Sequence, residues 1–195
     1  EQQSKLFVHR AHQGYVAERT ALINRIRGLL SELGFIFPQS FKAFHQGVHA
    51  VLEDLPGYCN QVIGELMNEL GHLQERIAKS ERQIQQMAKE DVQAQRLMQL
   101  RGIGPTTASA IVVSIGNGHD FKNGRQFSSW LGLAPRQHSS GGKAKLGSIT
   151  KAGDNYLRTL LVLGARSVLM TATNKKDAVS RWALQLKERR GYGRA

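Results

Sequence analysis

The chain has 195 residues and is strongly basic, with 27 Lys and Arg against 15 Asp and Glu and a net charge of +12. Hydrophobic residues make up 41%, enough for a core, yet no apolar run reaches the roughly 18 residues of a membrane-spanning helix, so the sequence calls for no membrane partner. The single cysteine, Cys59, excludes an internal disulfide and no Cys/His cluster has zinc spacing, which fits an intracellular protein without structural metal.

The N-terminal Glu1-Gln2-Gln3-Ser4-Lys5 has neither an initiator Met nor a signal-peptide pattern and reads as an interior start. From Gln2 to Leu33 the spacing of Leu22, Ile23, Ile26, Leu29, Leu30 and Leu33 predicts one long helix, with Gly34 as its C-cap. Arg10, Arg19, Arg25 and Arg27 read as its solvated basic face. Phe35 to Tyr58, with Pro38 and Pro56, predicts a turn, a short helix and another turn. A second long helix is expected from about Asn60 to Lys89. Its seam is Ile63, Leu66, Leu70, Leu73, Ile77, Ile84 and Met87, with Ser80 in the one polar place. Such a coiled-coil seam needs a partner. The first helix and the same helix of a second chain, in a homo-oligomer, both remain open.

A domain boundary is placed near residue 93, where glycine becomes frequent and helices become short. Residues 1–93 carry 10 Lys/Arg and 11 Asp/Glu, whereas 94–195 carry 17 and 4. The excess positive charge therefore lies in the C-terminal part, which points to nucleic acid, because phosphate neutralisation by Lys and Arg supplies most non-specific affinity. An anionic membrane surface would be the other anionic partner, but no basic amphipathic helix with an aromatic face is visible. The fold class is mostly α: no sustained period-two alternation occurs, although Lys143 to Ile149 has room for a short hairpin.

Leu100-Arg101-Gly102-Ile103-Gly104-Pro105-Thr106-Thr107-Ala108 has the pattern of a helix-hairpin-helix element. Gly102 and Gly104 permit a tight turn, Ile103 plugs into the core, and Pro105 suits the first helical turn. The amides at the start of the second helix, around Thr106, could then hold a phosphate oxygen. A connection that only packs is the structural alternative. Further on, Leu131-Gly132-Leu133-Ala134-Pro135-Arg136-Gln137 leads to Ser139-Ser140-Gly141-Gly142-Lys143, and then to Ile149-Thr150-Lys151-Ala152-Gly153-Asp154-Asn155-Tyr156-Leu157-Arg158. Arg136, Lys143, Lys145, Lys151 and Arg158 surround the serine pair as candidate phosphate contacts. Asp154 is positioned to cap a helix with an apolar stripe. A serine nucleophile needs exposure, an activating base and positive charge on the phosphate. The loop could supply the first and third, and no base is evident, since His138 is a lone histidine. On residue types alone a phosphate-holding loop is the default.

These strings resemble the C-terminal transposase domain of insertion sequence one-ten-type elements, with the one-eleven-eleven subgroup and the Piv-type DNA invertases. The helices before residue 93 look similar to the end of that family's RuvC-like domain and its coiled coil. The resemblance implies a DNA transposase or site-specific recombinase of the bacterial cytoplasm. It implies a partner DNA and, in several members, a structured bridge RNA. It makes the serine before the glycines the nucleophile, here Ser140 with Ser139 as the fallback, through a covalent phosphoserine–DNA intermediate. It also implies Mg²⁺ held by an Asp/Glu tetrad. No Asp precedes Glu53-Asp54 in this chain, so no residue here is assigned to metal, the chain alone holds no cofactor, and strand cleavage by it alone is expected to fail. A non-catalytic helix-hairpin-helix module that binds nucleic acid and dimerises is the alternative; a purely structural oligomerisation protein fits the charge asymmetry poorly.

Overall fold

The structure is a computed structural model and describes residues 2–138 and 145–193. Among them the chain is mostly α-helical with one two-stranded sheet, as the sequence indicates. It divides into two compact units, one formed by residues 7–83 and the other by the first six residues together with 84–195.

The first unit is a helical hairpin. Helix α1 spans Gln2–Glu32, α2 Phe41–Val51 and α3 Gly57–Glu90. Helix α1 stops where expected. Gly34 takes φ +85°, its amide donates to Ser31 O, and the Phe35 amide reaches back to Leu30 O at 3.0 Å. This is the left-handed C-terminal turn that a glycine accommodates without steric cost. Leu22, Ile26 and Leu30 of α1 pack with Ile63, Met67, Leu70 and Leu73 of α3, and α2 closes the cluster with Phe44 and Val48. Thus α1 occupies the seam of α3 within the chain, and a second copy could use that seam only by opening the hairpin. Met67 takes the buried place expected of Leu66, which is half-buried, because the straight helix drifts past a strict seven-residue repeat.

Two polar features hold this unit in register. Ser80, the polar place in the seam, donates to Ile77 O at 2.8 Å, and its oxygen lies 2.9 Å from His12 Nδ1. The serine proton is thereby committed, so the imidazole donates to it. Arg27 is not part of a solvated face. Its guanidinium donates to Phe37 O at 2.8 Å and to Pro38 O, and lies 4.7 Å from the Phe44 ring centroid, which ties the turn after α1 back onto the hairpin.

In the second unit, Gln2 Nε2 donates to Val113 O at 2.8 Å. Helices α4 (Val92–Met98) and α5 (Pro105–Ile115) form its tightest pair, and small Ala94 of α4 and Ala108 of α5 pack with Ala88 at the end of α3. Helix α6 (Gly124–Trp130) leads into β1 (Pro135–Gln137), which pairs antiparallel with β2 (Leu146–Ile149), Pro135 opposite Ile149. Helix α7 (Asn155–Thr171), a single 3-10 turn at Ala172–Asn174 and α8 (Ala178–Arg190) complete it. Ala110, Ile111, Leu131 and Leu157 form its centre. Asp91, Asn123, Asp154 and Asp177 each accept a first-turn amide and so start α4, α6, α7 and α8. The sequence boundary near residue 93 falls beside the Asp91 cap between α3 and α4, whereas the compact unit begins at Ile84.

His9 is buried on α1, and burial followed by the neighbouring His12 pushes its imidazole down to about 4 from 6.5. The unfolded chain therefore takes up a proton before the folded chain does. Stability is full above pH 6.5 and declines as pH falls toward 4, by on the order of 3 kcal/mol. Urea denaturation at a series of pH values should show this slope, and His9→Gln should flatten it.

Candidate nucleic-acid interface

The turn between α4 and α5 separates two glycines that look alike in sequence. Gly102 has φ +84°, and a Cβ there would lie 2.9 Å from Gly164 O and 3.0 Å from Val168 Cγ2 of α7. It faces inward against a helix, and Gly164 is the reciprocal small residue, since a Cβ on it would meet Gly102 O. Ile103 packs into the core as expected. Gly104 differs. Its φ of −92° is open to any residue, a Cβ there would meet nothing within 4 Å, and it is exposed. It is the N-cap of α5 and makes no side-chain cap hydrogen bond, with Pro105 following. So Gly104 serves by leaving the helix start bare, not by its backbone angles. The first amides there, with half-buried Thr106, lack the partner that an Asx cap gives the other four helices.

A second constellation forms where the Leu131-Gly132 and Ala152-Gly153 strings meet. Gly132 ends α6 with φ +71°, and the Leu133 amide returns to Ser128 O at 2.9 Å. A Cβ on Gly132 would lie 2.6 Å from Ala152 N, and one on Gly153 would overlap Trp130 O. The two backbones are therefore in direct contact. Arg158 seals the contact. It is 8% exposed and donates to Leu131 O at 3.0 Å, Gly153 O at 3.2 Å and Asn155 Oδ1 at 2.9 Å. This corrects the expectation of a phosphate contact at Arg158: its donors are turned inward onto carbonyls. Tyr156 beside it has its hydroxyl pushed up to about 12, by burial and then by Asp154.

Arg136, Lys145 and Lys151 do face solvent. Arg136 on β1 is exposed and bonds Thr150 O at 3.3 Å, and Lys145 is exposed at the start of the return strand, where its carbonyl accepts from the His138 amide. Lys151 is exposed and holds φ +58°, the one non-glycine residue at positive φ among the described residues. Its amide donates to Gly132 O at 2.9 Å, so the glycine contact fixes this conformation at a cost of about 1–2 kcal/mol. Ser139, Ser140 and Lys143 lie outside the described residues, between β1 and β2. Among the described residues no group of three His, Cys, Asp or Glu is placed to hold a metal ion, and no helix is long and apolar enough to cross a membrane.

The sequence reading missed one link. Arg101, next to Gly102, makes a 2.6 Å ion pair with Asp177 and also donates to Ser180 Oγ. Hydrogen bonds from Ser180, with Arg101 alongside, hold the Asp177 carboxyl near 2. The Asp-x-x-Ser spacing at residues 177–180 is a visible cap signature, but its distant partner is not.

Residues 94–180 match the model of the Transposase IS116/IS110/IS902 family. A probable family 20 transposase of Pseudomonas aeruginosa is 46% identical over 97% of this chain and 58% of its own length. The transposase for insertion sequence element IS1111A of Coxiella burnetii is 39% identical over 100% of this chain and 55% of its own. A pilin gene-inverting protein of Moraxella bovis is 38% identical over 37% of this chain. The chain thus spans a little more than half the length of the first two relatives.

Four substitutions separate scaffold from interface. Gly102→Val should cost at least about 1–3 kcal/mol of stability through positive φ alone. Gly104→Val should stay within about 1 kcal/mol of the parent while weakening DNA binding, because its side chain stands over the bare helix start. Thermal melts and fluorescence anisotropy on the same samples test both. Arg158→Met should lose about 1–3 kcal/mol, leaving buried carbonyls without donors. Lys151→Gly should match or exceed parent stability yet bind DNA less tightly.

Proposed function

We propose that this chain is the DNA-handling part of a transposase or site-specific recombinase, with Ser140 as the nucleophile of strand transfer. The observation that carries the reading is the family match over residues 94–180, which spans the Gly-Ile-Gly turn and the Ser-Gly-Gly segment. The pilin gene-inverting relative extends it toward recombination between sites. In this reading the α4–α5 turn works as a helix-hairpin-helix element, whose bare α5 start and Thr106 take a backbone phosphate. Arg136, Lys143, Lys145 and Lys151 hold phosphates near the serine. Such contacts set position and carry no sequence information. A structured guide RNA would be accepted by the same charges.

In the strand-transfer step the Ser140 Oγ bonds to phosphorus, its proton leaves, and one bridging P–O bond breaks. The displaced DNA hydroxyl takes a proton. Attack by another strand's hydroxyl reverses the step and frees the serine. Mg²⁺ would supply charge stabilisation in the complete active protein. The described residues do not gather carboxylates for it, so their part is binding and orientation.

The test is Ser140→Ala in the recombining protein. A small hydroxyl adds little affinity, and a nucleophile has no substitute. Recombination should be abolished with DNA binding nearly intact, and Ser139→Ala should be milder. A serine that only donates a hydrogen bond would lose about 0.5–1.5 kcal/mol of affinity and leave recombination running, which would favour the non-catalytic module.

A further inference from the structure

Helix α8 carries a surface distinct from the residues proposed to hold phosphates near the serine. Trp182 is 61% exposed, although a tryptophan side chain gains more from burial than any other single residue can. Its helix packs through Ser180 and Ala183, both buried, so Trp182 points away from the protein. Arg189, seven residues on, lies two turns along the same face, and Arg181 and Arg190 flank it. Lys175 and Lys176 precede the helix and are exposed. None of these five cations pairs with a described acidic residue. Asp177 is taken by Arg101 and the α8 cap, which leaves Glu188 as the one uncommitted carboxylate of the segment 175–190. Trp182 also lies beyond the matched residues 94–180.

An exposed indole among unpaired cations is complementary to a polyanion that offers flat apolar faces. In duplex DNA those faces are covered by stacking, whereas an unpaired strand presents them freely. We propose that the outer face of α8 binds single-stranded DNA, a base stacking on Trp182 while Arg181, Arg189 and Lys175–Lys176 take the adjoining phosphates. The inference rests on the reading that the C-terminal part of the chain handles DNA, and it adds the state of the DNA: strands that are unpaired when they meet this surface.

The chain has two tryptophans, so Trp130→Phe leaves Trp182 as the single reporter. Trp130 sits 5.5 Å from Phe121 and 6.1 Å from Phe127 in a ring cluster that a phenylalanine can maintain. Titration with a short oligothymidylate should quench Trp182 emission to saturation. Inorganic polyphosphate, which supplies charge without bases, should leave it bright, and duplex DNA of equal length should bind with little quenching. Trp182→Ala should lower oligothymidylate affinity about tenfold and duplex affinity less than twofold, with Trp182→Phe retaining most of the single-strand affinity. Absent quenching by oligothymidylate, equal quenching by polyphosphate or duplex, or an equal loss for both DNA forms would each overturn the proposal. Duplex binding that survives without single-strand quenching sinks this inference alone. Binding to neither form sinks the DNA reading with it.

Discussion

The C-terminal unit depends on one constraint: two stretches of backbone must touch. Gly153 lies against Trp130 O and Leu131, and Gly132 against Ala152 and Gly153, with no room for a side chain at either place. Contact of this kind brings carbonyl groups together out of water, and each needs a donor. Arg158 supplies it from the first turn of α7, bonding Leu131 O and Gly153 O at once. Its charge is spread over a planar fork that suits several acceptors in fixed directions, which an ammonium on a flexible stem would not match. No buried side-chain nitrogen or oxygen among the described residues is left without a partner. The α4–α5 turn repeats the device in smaller form, Gly102 against Gly164. Both strings of conspicuous motif residues are therefore first of all packing surfaces.

That scaffold determines which charges reach solvent. The C-terminal part has four acidic residues, and two of them, Asp154 and Asp177, start helices. A carboxylate that caps a helix is partly neutralised by the amides it accepts and by the positive end of the helix. Asp177 is further matched by Arg101. Few anions remain to offset Arg136, Lys145, Lys151 and the cations of α8. The net positive field is thus produced as much by where the acids are used as by how many bases there are.

The elements with strong periodicity are legible in the sequence itself. The two long helices, the Gly34 stop and the burial of Leu70, Leu73 and Ile77 all follow from apolar spacing and one capping residue. The identity of the seam's partner is not, because a repeat on one helix says only that some apolar surface must cover it. Residue roles in the second unit are half legible. Gly102 and Gly104 look equivalent in sequence, and only the approach of α7 makes the first a packing glycine and the second an open one. Arg158 looked like one more cation near a phosphate loop. Its burial depends on carbonyls 5 and 27 residues away in the chain, which no local pattern encodes.

Lys151 shows how the scaffold and the charges meet. A lysine gains nothing locally from a left-handed backbone, and a glycine would sit there with less strain. Its conformation is imposed by the hydrogen bond from its amide to Gly132 O, directly beside the glycine contact. The side chain is exposed, and Arg136 bonds the carbonyl of the preceding Thr150. The strands that flank residues 139–144 are therefore rooted on the same contact that orients these two cations. The strained backbone thus roots Lys151 at a fixed place beside the glycine contact, with its side chain exposed to solvent. Placement of this kind is what phosphate positioning requires, since a cation on a free loop would add attraction without register.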